Sequence, residues 1–183
     1  MEGNPVEEKF LGRLPLKHAW AYLKFRKTGI VQHLLHQLKY NNQPEVGIRI
    51  GKIFGKELND LSRAREFDLI VPVPLHPARL RNRGYNQSAK FAEGLSESLG
   101  IPFRDGISIR LQNSKTQTKK TKTERWENVK QVFDIKNTEA VKGKRILLVD
   151  DVITTGATLE ACGQQLLMAG CSELSIACIA EAQ

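Results

Sequence analysis

A chain of 183 residues with 40% apolar and 26% charged side chains can bury one substantial core and is too short for two. No apolar run approaches the ~20 residues that cross a bilayer. The opening residues, with Glu2, Glu7 and Glu8 and no apolar stretch, are unlike a secretory leader, so the cytoplasm is the expected compartment. The net charge of +8 gathers in two segments: 76–90 has four cations and no acid, and 104–130 has eight cations against three acids. Such concentration points to a polyanion, with pyrophosphate and nucleic acid both fitting.

In chain order, Ile30, Val31, Leu34, Leu35 and Leu38 recur at helical spacing, as do Ile48, Ile50, Ile53, Phe54 and Leu58. Two amphipathic helices are expected there, separated by Asn41-Asn42-Gln43-Pro44. Asp68-Leu69-Ile70-Val71 is a strand candidate stopped by Pro72 and Pro74. Asn86 can cap a helix that runs to about Leu99 and is closed by Gly100 and Pro102. Strand candidates follow at 107–111 and 132–135, with a turn around Lys142-Gly143. A strand at 146–149, a helix over 157–168 ending at Gly170 and a last strand over 174–179 complete the pattern. Strand and helix alternate, which predicts an α/β fold with a doubly wound, mainly parallel sheet. Residues 1–66 are expected as an N-terminal helical hood packed on a core of 67–183, all in one folding domain. Cys162, Cys171 and Cys178 lack CxxC spacing and read as reduced thiols in a helix, a loop and a strand.

Two segments carry chemistry. In the first, Val71-Pro72-Val73-Pro74-Leu75-His76-Pro77, a buried strand end passes into a proline-stiffened loop. Arg79, Arg81 and Arg83 follow, and Arg79 and Arg83 are candidate anion ligands through their guanidinium forks. The second is Ile146-Leu147-Leu148-Val149-Asp150-Asp151-Val152-Ile153-Thr154-Thr155-Gly156-Ala157-Thr158. Its apolar strand lifts Asp150 and Asp151 to the sheet's carboxyl edge, where open α/β sheets bind ligands. Paired carboxylates accept from vicinal sugar hydroxyls and help to hold a divalent metal. Thr154, Thr155, Gly156, Ala157 and Thr158 offer successive amides and hydroxyls at a helix start, an anion cradle. An ordinary capped turn is the plainer alternative. Response regulators and nucleotidases also carry Asp-Asp after a strand, without the Thr-Thr-Gly-Ala-Thr continuation.

The 146–158 stretch resembles the 5-phosphoribosyl 1-pyrophosphate (PRPP) signature of type I phosphoribosyltransferases, and the 71–87 segment resembles their pyrophosphate loop. Val-Pro-Val-Pro followed by Arg-Gly-Tyr-Asn-Gln is similar to the ComF family, linked to bacterial DNA uptake. The likeness spans residues 22–181, including His36-Gln37-Leu38-Lys39-Tyr40, Glu124-Arg125 and Asn128-Val129. It extends more distantly to the phosphoribosyl half of glutamine amidophosphoribosyltransferase. Family members usually begin with a cysteine-rich zinc segment, which these residues do not contain.

The resemblance implies transfer of a phosphoribosyl group from PRPP, with Asp150 and Asp151 holding the ribose at the reacting centre. Residues 154–158 would hold the 5-phosphate, while Leu75, His76, Arg79 and Arg83 would take the pyrophosphate. Mg²⁺ would be carried largely by the substrate, near Asp150 and Asp151. Residues 112–131, nearly free of apolar side chains, would form a loop closing over PRPP, with Lys119 and Lys120 meeting the pyrophosphate. Thr154 stands where 6-oxopurine salvage enzymes typically carry an Asp, leaving adenine-, orotate- and ammonia-using chemistry open. A rival expectation is a non-catalytic PRPP- or nucleotide-binding accessory protein that touches single-stranded DNA or the uptake machinery. A homodimer is a further open possibility.

Overall fold

The computed structural model describes residues 4–25, 29–111 and 132–182. The first half contains α1 (Pro5–Glu8), β1 (Ala19–Phe25), α2 (Ile30–Tyr40), α3 (Pro44–Asp60), β2 (Leu69–Pro72), α4 (Pro77–Arg83) and α5 (Gln87–Leu99). The second contains β3 (Ser108–Arg110), β4 (Phe133–Ile135), β5 (Arg145–Ile153), α6 (Ala157–Met168) and β6 (Glu173–Ala182). Four strands pair in parallel in the order β1-β6-β5-β2.

Both faces of this sheet are covered, which explains why its strands read as unbroken apolar runs. On β5, Ile146 and Leu148 face one core cluster, together with Leu69, Val71, Leu174, Ile176 and Cys178. Leu147 and Val149 face the other, with Ile70, Ala177 and Ile179. The first face is closed by Leu159, Cys162 and Leu166 of α6 and by Val6, Phe10 and Leu14 near the N-terminus. The second is closed by Leu35 and Leu38 of α2, Phe54 of α3, and Phe91 and Leu95 of α5. The doubly wound α/β architecture is as the alternation predicts. No described helix is long and apolar enough to cross a membrane.

Three details depart from the sequence reading. Residues 1–66 are helical in α2 and α3, but they also supply β1, which joins the sheet in register with β6 from Ala19↔Ile176 to Phe25↔Ala182. The N-terminal portion is therefore built into the sheet as well as packed on it. Secondly, β3 and β4 pair antiparallel with each other, Ser108↔Ile135 to Arg110↔Phe133, outside the parallel sheet. Lastly, β5 runs past Val149 through the aspartates to Ile153, because β6 continues beside it to Glu181.

The helix α3 meets α5 through glycines. Gly47, Gly51 and Gly55 recur every four residues on the buried face of α3, which puts them in one row. A Cβ on Gly51 would overlap the Phe91 carbonyl oxygen, and one on Gly94 would overlap that of Ile48. Backbones thus touch directly, and the Ser98 hydroxyl donates to the Lys52 carbonyl across the seam at 2.9 Å. This close seating fixes where α5 starts, and α5 starts at the site.

Candidate functional site

Parallel pairing of β2 with β5, from Leu69↔Ile146 to Pro72↔Val149, brings the two chemistry-bearing turns out at the same sheet edge. Asn86 then locks the first turn. Its Nδ2 donates to the Val73 carbonyl at 3.0 Å while its Oδ1 caps α5 by accepting from Ser88 N at 3.2 Å. Gly84, at φ +82°, closes α4 so that the chain can reach that cap.

At the floor, Asp150 Oδ1 accepts from the Ser88 hydroxyl at 2.8 Å and from the Asp151 amide at 2.9 Å. Lys39, from the end of α2, places Nζ 3.0 Å from Asp151 Oδ2. Asp150 is partly exposed to the cleft, yet desolvation, with the Asp151 charge second, pushes its carboxyl up to about 7. The Ser88 hydrogen bond, the Asp151 amide and the Lys39 charge pull the other way without overcoming this. Two adjacent carboxylates of which one resists ionisation are poised to receive a cation or sugar hydroxyls.

Leu75, Arg79, Arg83, Asp150, Asp151 and Thr158, all singled out from sequence, line one cleft of about 300 Å³. Arg83 is held in it on two sides: Nη1 donates to Gln87 Oε1 at 2.5 Å, and the guanidinium lies 5.5 Å from the Tyr40 ring centroid. Thr154, Thr155, Gly156 and Ala157 line an adjoining pocket of about 40 Å³. The two spaces share Asp150, Val152 and Thr158, so they form parts of one site. At the turn, Thr155 Oγ1 accepts from the Ala157 amide at 3.4 Å.

His76 is placed differently. It lines neither space, and its Nδ1 accepts from the Ala78 amide at 3.2 Å as the N-cap of α4. Its ring nitrogen thus serves the start of α4. Lys119 and Lys120, with the expected loop 112–131, lie outside the described residues.

The cleft also contains residues that the sequence reading did not assign: Lys39, Tyr40, Ser88 and Arg110. Lys39 and Tyr40 stand in the quoted His36-Gln37-Leu38-Lys39-Tyr40 string, so a signal existed, but nothing local ties Lys39 to a carboxylate far along the chain. Arg110, on β3, has its guanidinium 5.2 Å from the Phe133 ring centroid. Burial, with Arg79 next, pulls its proton affinity below that of an ordinary guanidinium.

Among the described residues no group of three or more His, Cys, Asp and Glu converges as a self-sufficient metal site. Asp150 and Asp151 alone, one of them paired with Lys39, fit a hard divalent cation that takes most of its oxygens from a bound phosphate and water. Cations at one wall, an amide-rich turn at the other and twin carboxylates between them suit a sugar carrying anionic groups at both ends.

A family description, "Phosphoribosyl transferase domain", matches residues 36–183. Competence protein F of Haemophilus influenzae is 31% identical over 78% of this chain, and competence protein ComFC of Bacillus subtilis is 35% identical over 77%. The DNA utilization protein YhgH of Escherichia coli K12 is 30% identical over 80%. The chain spans 64%, 55% and 65% of these relatives' lengths, respectively. Among solved structures, the glutamine PRPP amidotransferase of B. subtilis, complexed with ADP and GMP, superposes with a TM-score of 0.54 at 25% identity. The superposition covers 79% of this chain and 30% of that one. The domain match takes in most of the sequence and both walls of the cleft, and the chain belongs to the phosphoribosyl transferase domain family.

Proposed function

We propose that the protein transfers the 5-phosphoribosyl group of PRPP to an acceptor nucleophile, releasing pyrophosphate. The observation that carries this reading is the continuity of the site: the amide-rich turn, the twin aspartates and the arginines of α4 line spaces that share Asp150 and Thr158. A substrate with a 5-phosphate, two ring hydroxyls and a 1-pyrophosphate has the same order of groups. The likeness to a glutamine PRPP amidotransferase supports it.

The bond between the anomeric carbon and the pyrophosphate oxygen breaks, and its electron pair leaves with pyrophosphate. The acceptor's lone pair then forms the new bond to that carbon. Positive charge develops on the sugar and negative charge on the leaving group. Asp150 and Asp151 hold the ribose hydroxyls and place negative charge beneath the ring. Arg79 and Arg83 receive the departing anion, and Arg83 does so already oriented by Gln87 and Tyr40. Residues 154–158 grip the 5-phosphate and set the sugar's direction. Mg²⁺, held through the phosphate oxygens beside Asp150 and Asp151, would supply charge neutralisation for the leaving group.

Incubating PRPP and Mg²⁺ with a panel of nucleobases, ammonia and amines, and measuring pyrophosphate, tests the proposal. Release with at least one acceptor is expected, with a loss of about 100-fold in Asp150→Asn or Asp151→Asn. Silence across the panel with PRPP still bound overturns catalysis.

A second reading, a nucleotide-binding accessory protein that contacts DNA, is favoured by the relatives' names and by Arg81. Arg81 is exposed on α4 and lines neither space of the site. It requires single-stranded DNA binding that weakens steeply with salt and is reduced in Arg81→Ala. Binding that is indifferent to salt and to that substitution removes it.

A further inference from the structure

The amide-rich turn is gripped from behind by residues that precede the matched domain. Gly156 sits at φ +79°, and a Cβ built there would lie 2.9 Å from Phe10 Cε1 and 3.0 Å from Phe10 Cζ. Phe10 is fully buried, so its ring forms a fixed backstop for the turn. Arg13 stands beside it. Its Nη1 donates to the Lys9 carbonyl at 2.9 Å and to the Thr155 carbonyl at 3.1 Å. Its Nη2 pairs with the carboxylate of Glu160, in the first turn of α6. Lys9, in the same segment, meets Glu181 at 3.2 Å, and Glu181 is the register partner of Ile153, where the turn begins.

We infer that Arg13 is a positioning residue for phosphate-monoester binding, acting through the peptide between Thr155 and Gly156. A peptide group is planar and trans, so its C=O and N–H point in opposite directions. Arg13 holds the Thr155 carbonyl on its own side and thereby aims the Gly156 N–H away from itself. Arg13 does not line the pocket formed by residues 154–158, so it acts on the cradle without touching the ligand. It also neutralises Glu160, whose charge would otherwise stand one helical turn from an incoming dianion. Phe10 prevents the turn from relaxing backward. The family match begins at residue 36, so this brace lies outside the matched domain.

The inference rests on the proposed function, and the two can fail separately. Calorimetric titration of the full chain with ribose 5-phosphate, and separately with inorganic pyrophosphate, compares wild type, Arg13→Ala and Arg13→Lys. Arg13→Ala is expected to weaken ribose 5-phosphate binding about tenfold and to leave pyrophosphate binding within about twofold. Arg13→Lys, which keeps the charge but loses the fork, is expected to recover part of the loss. If Arg13→Ala does not fold, the Arg13→Lys comparison carries the same test. Equal weakening of both ligands, or no weakening of ribose 5-phosphate, overturns the brace while leaving the function intact. A wild type that ignores ribose 5-phosphate overturns both.

Discussion

Asp150 spends one oxygen on two donors, the Ser88 hydroxyl and the Asp151 amide, and still resists losing its proton. Its folded value, about 7, lies above the unfolded carboxyl value of about 4. Between those values the folded chain retains a proton that the unfolded chain has released. Stability contributed by this group therefore falls as pH rises from about 4 to about 7, and the cost is fully present above that. Asp150→Asn removes the charge and keeps an acceptor for Ser88. It should raise stability at pH 8 by on the order of 1–3 kcal/mol while leaving it unchanged at pH 4. Equal shifts in denaturant midpoint at both pH values would contradict this. Lys39 lowers the Asp150 value, so Lys39→Met should move the pH midpoint of PRPP affinity upward and weaken binding at neutral pH. An unchanged midpoint would mean that the 3.0 Å pair with Asp151 is electrostatically idle. Asp150, Asp151 and the 154–158 turn were legible in the sequence because strand, carboxylates and turn are contiguous. Ser88 and Lys39 were not, since each meets the aspartates through a fold-level approach with no local signature. His76 stands inside a recognisable string, but that string gives no sign that its ring nitrogen serves the backbone two residues on.

The elements that hold these groups are seated by small residues as much as by large ones. Apolar spacing correctly placed α3, but Ile53, one of its markers, is 52% exposed, while Gly47, Gly51 and Gly55 are buried. A hydrophobic count gives glycine no weight as a packing surface, so the α3–α5 seam was invisible to it. Gly94→Ala would drive a methyl into the Ile48 carbonyl and separate the helices. Overpacking at backbone contact should cost about 1–3 kcal/mol, or several degrees in Tm, and displace Ser88 and Asn86 at the head of α5. Weaker PRPP affinity should accompany the lower Tm; a destabilised variant with unchanged affinity would show that α5 does not transmit its seating to the site. The strand β1 escaped the sequence reading for a different reason. It is a sheet edge whose residues are mostly half-buried, and Ala19-Trp20-Ala21-Tyr22-Leu23 is a short apolar run that periodicity alone cannot assign to strand rather than helix. By contrast β5, buried on both faces from Ile146 to Val149, announced itself.

Three thiols report on how these layers come apart. Cys162 and Cys178 are fully buried in the core cluster between the sheet and α6, and Cys171 follows α6 in a loop. Burial pushes the Cys162 thiol up to about 12 and Cys171 up to about 11, and raises Cys178 well above the ordinary range. Thiol reagents attack the thiolate, so the native protein should react slowly and only through opening. Cys171 needs only the end of α6 to fray and should react first. Cys178 pairs in register with Asp150, at the centre of the sheet and beneath the site, so exposing it requires the β5–β6 pairing to break. Ribose 5-phosphate at about 100 times its Kd stabilises the closed state by the binding polynomial, which corresponds to about 100-fold fewer openings. Labelling of Cys178 and Cys162 should therefore slow by about that factor together, with Cys171 slowed much less. Mass spectrometry of the labelled peptides distinguishes the three. Rapid, ligand-insensitive labelling of Cys178 would mean that the sheet opens at this edge without global unfolding, so that the site and the core are not one cooperative unit.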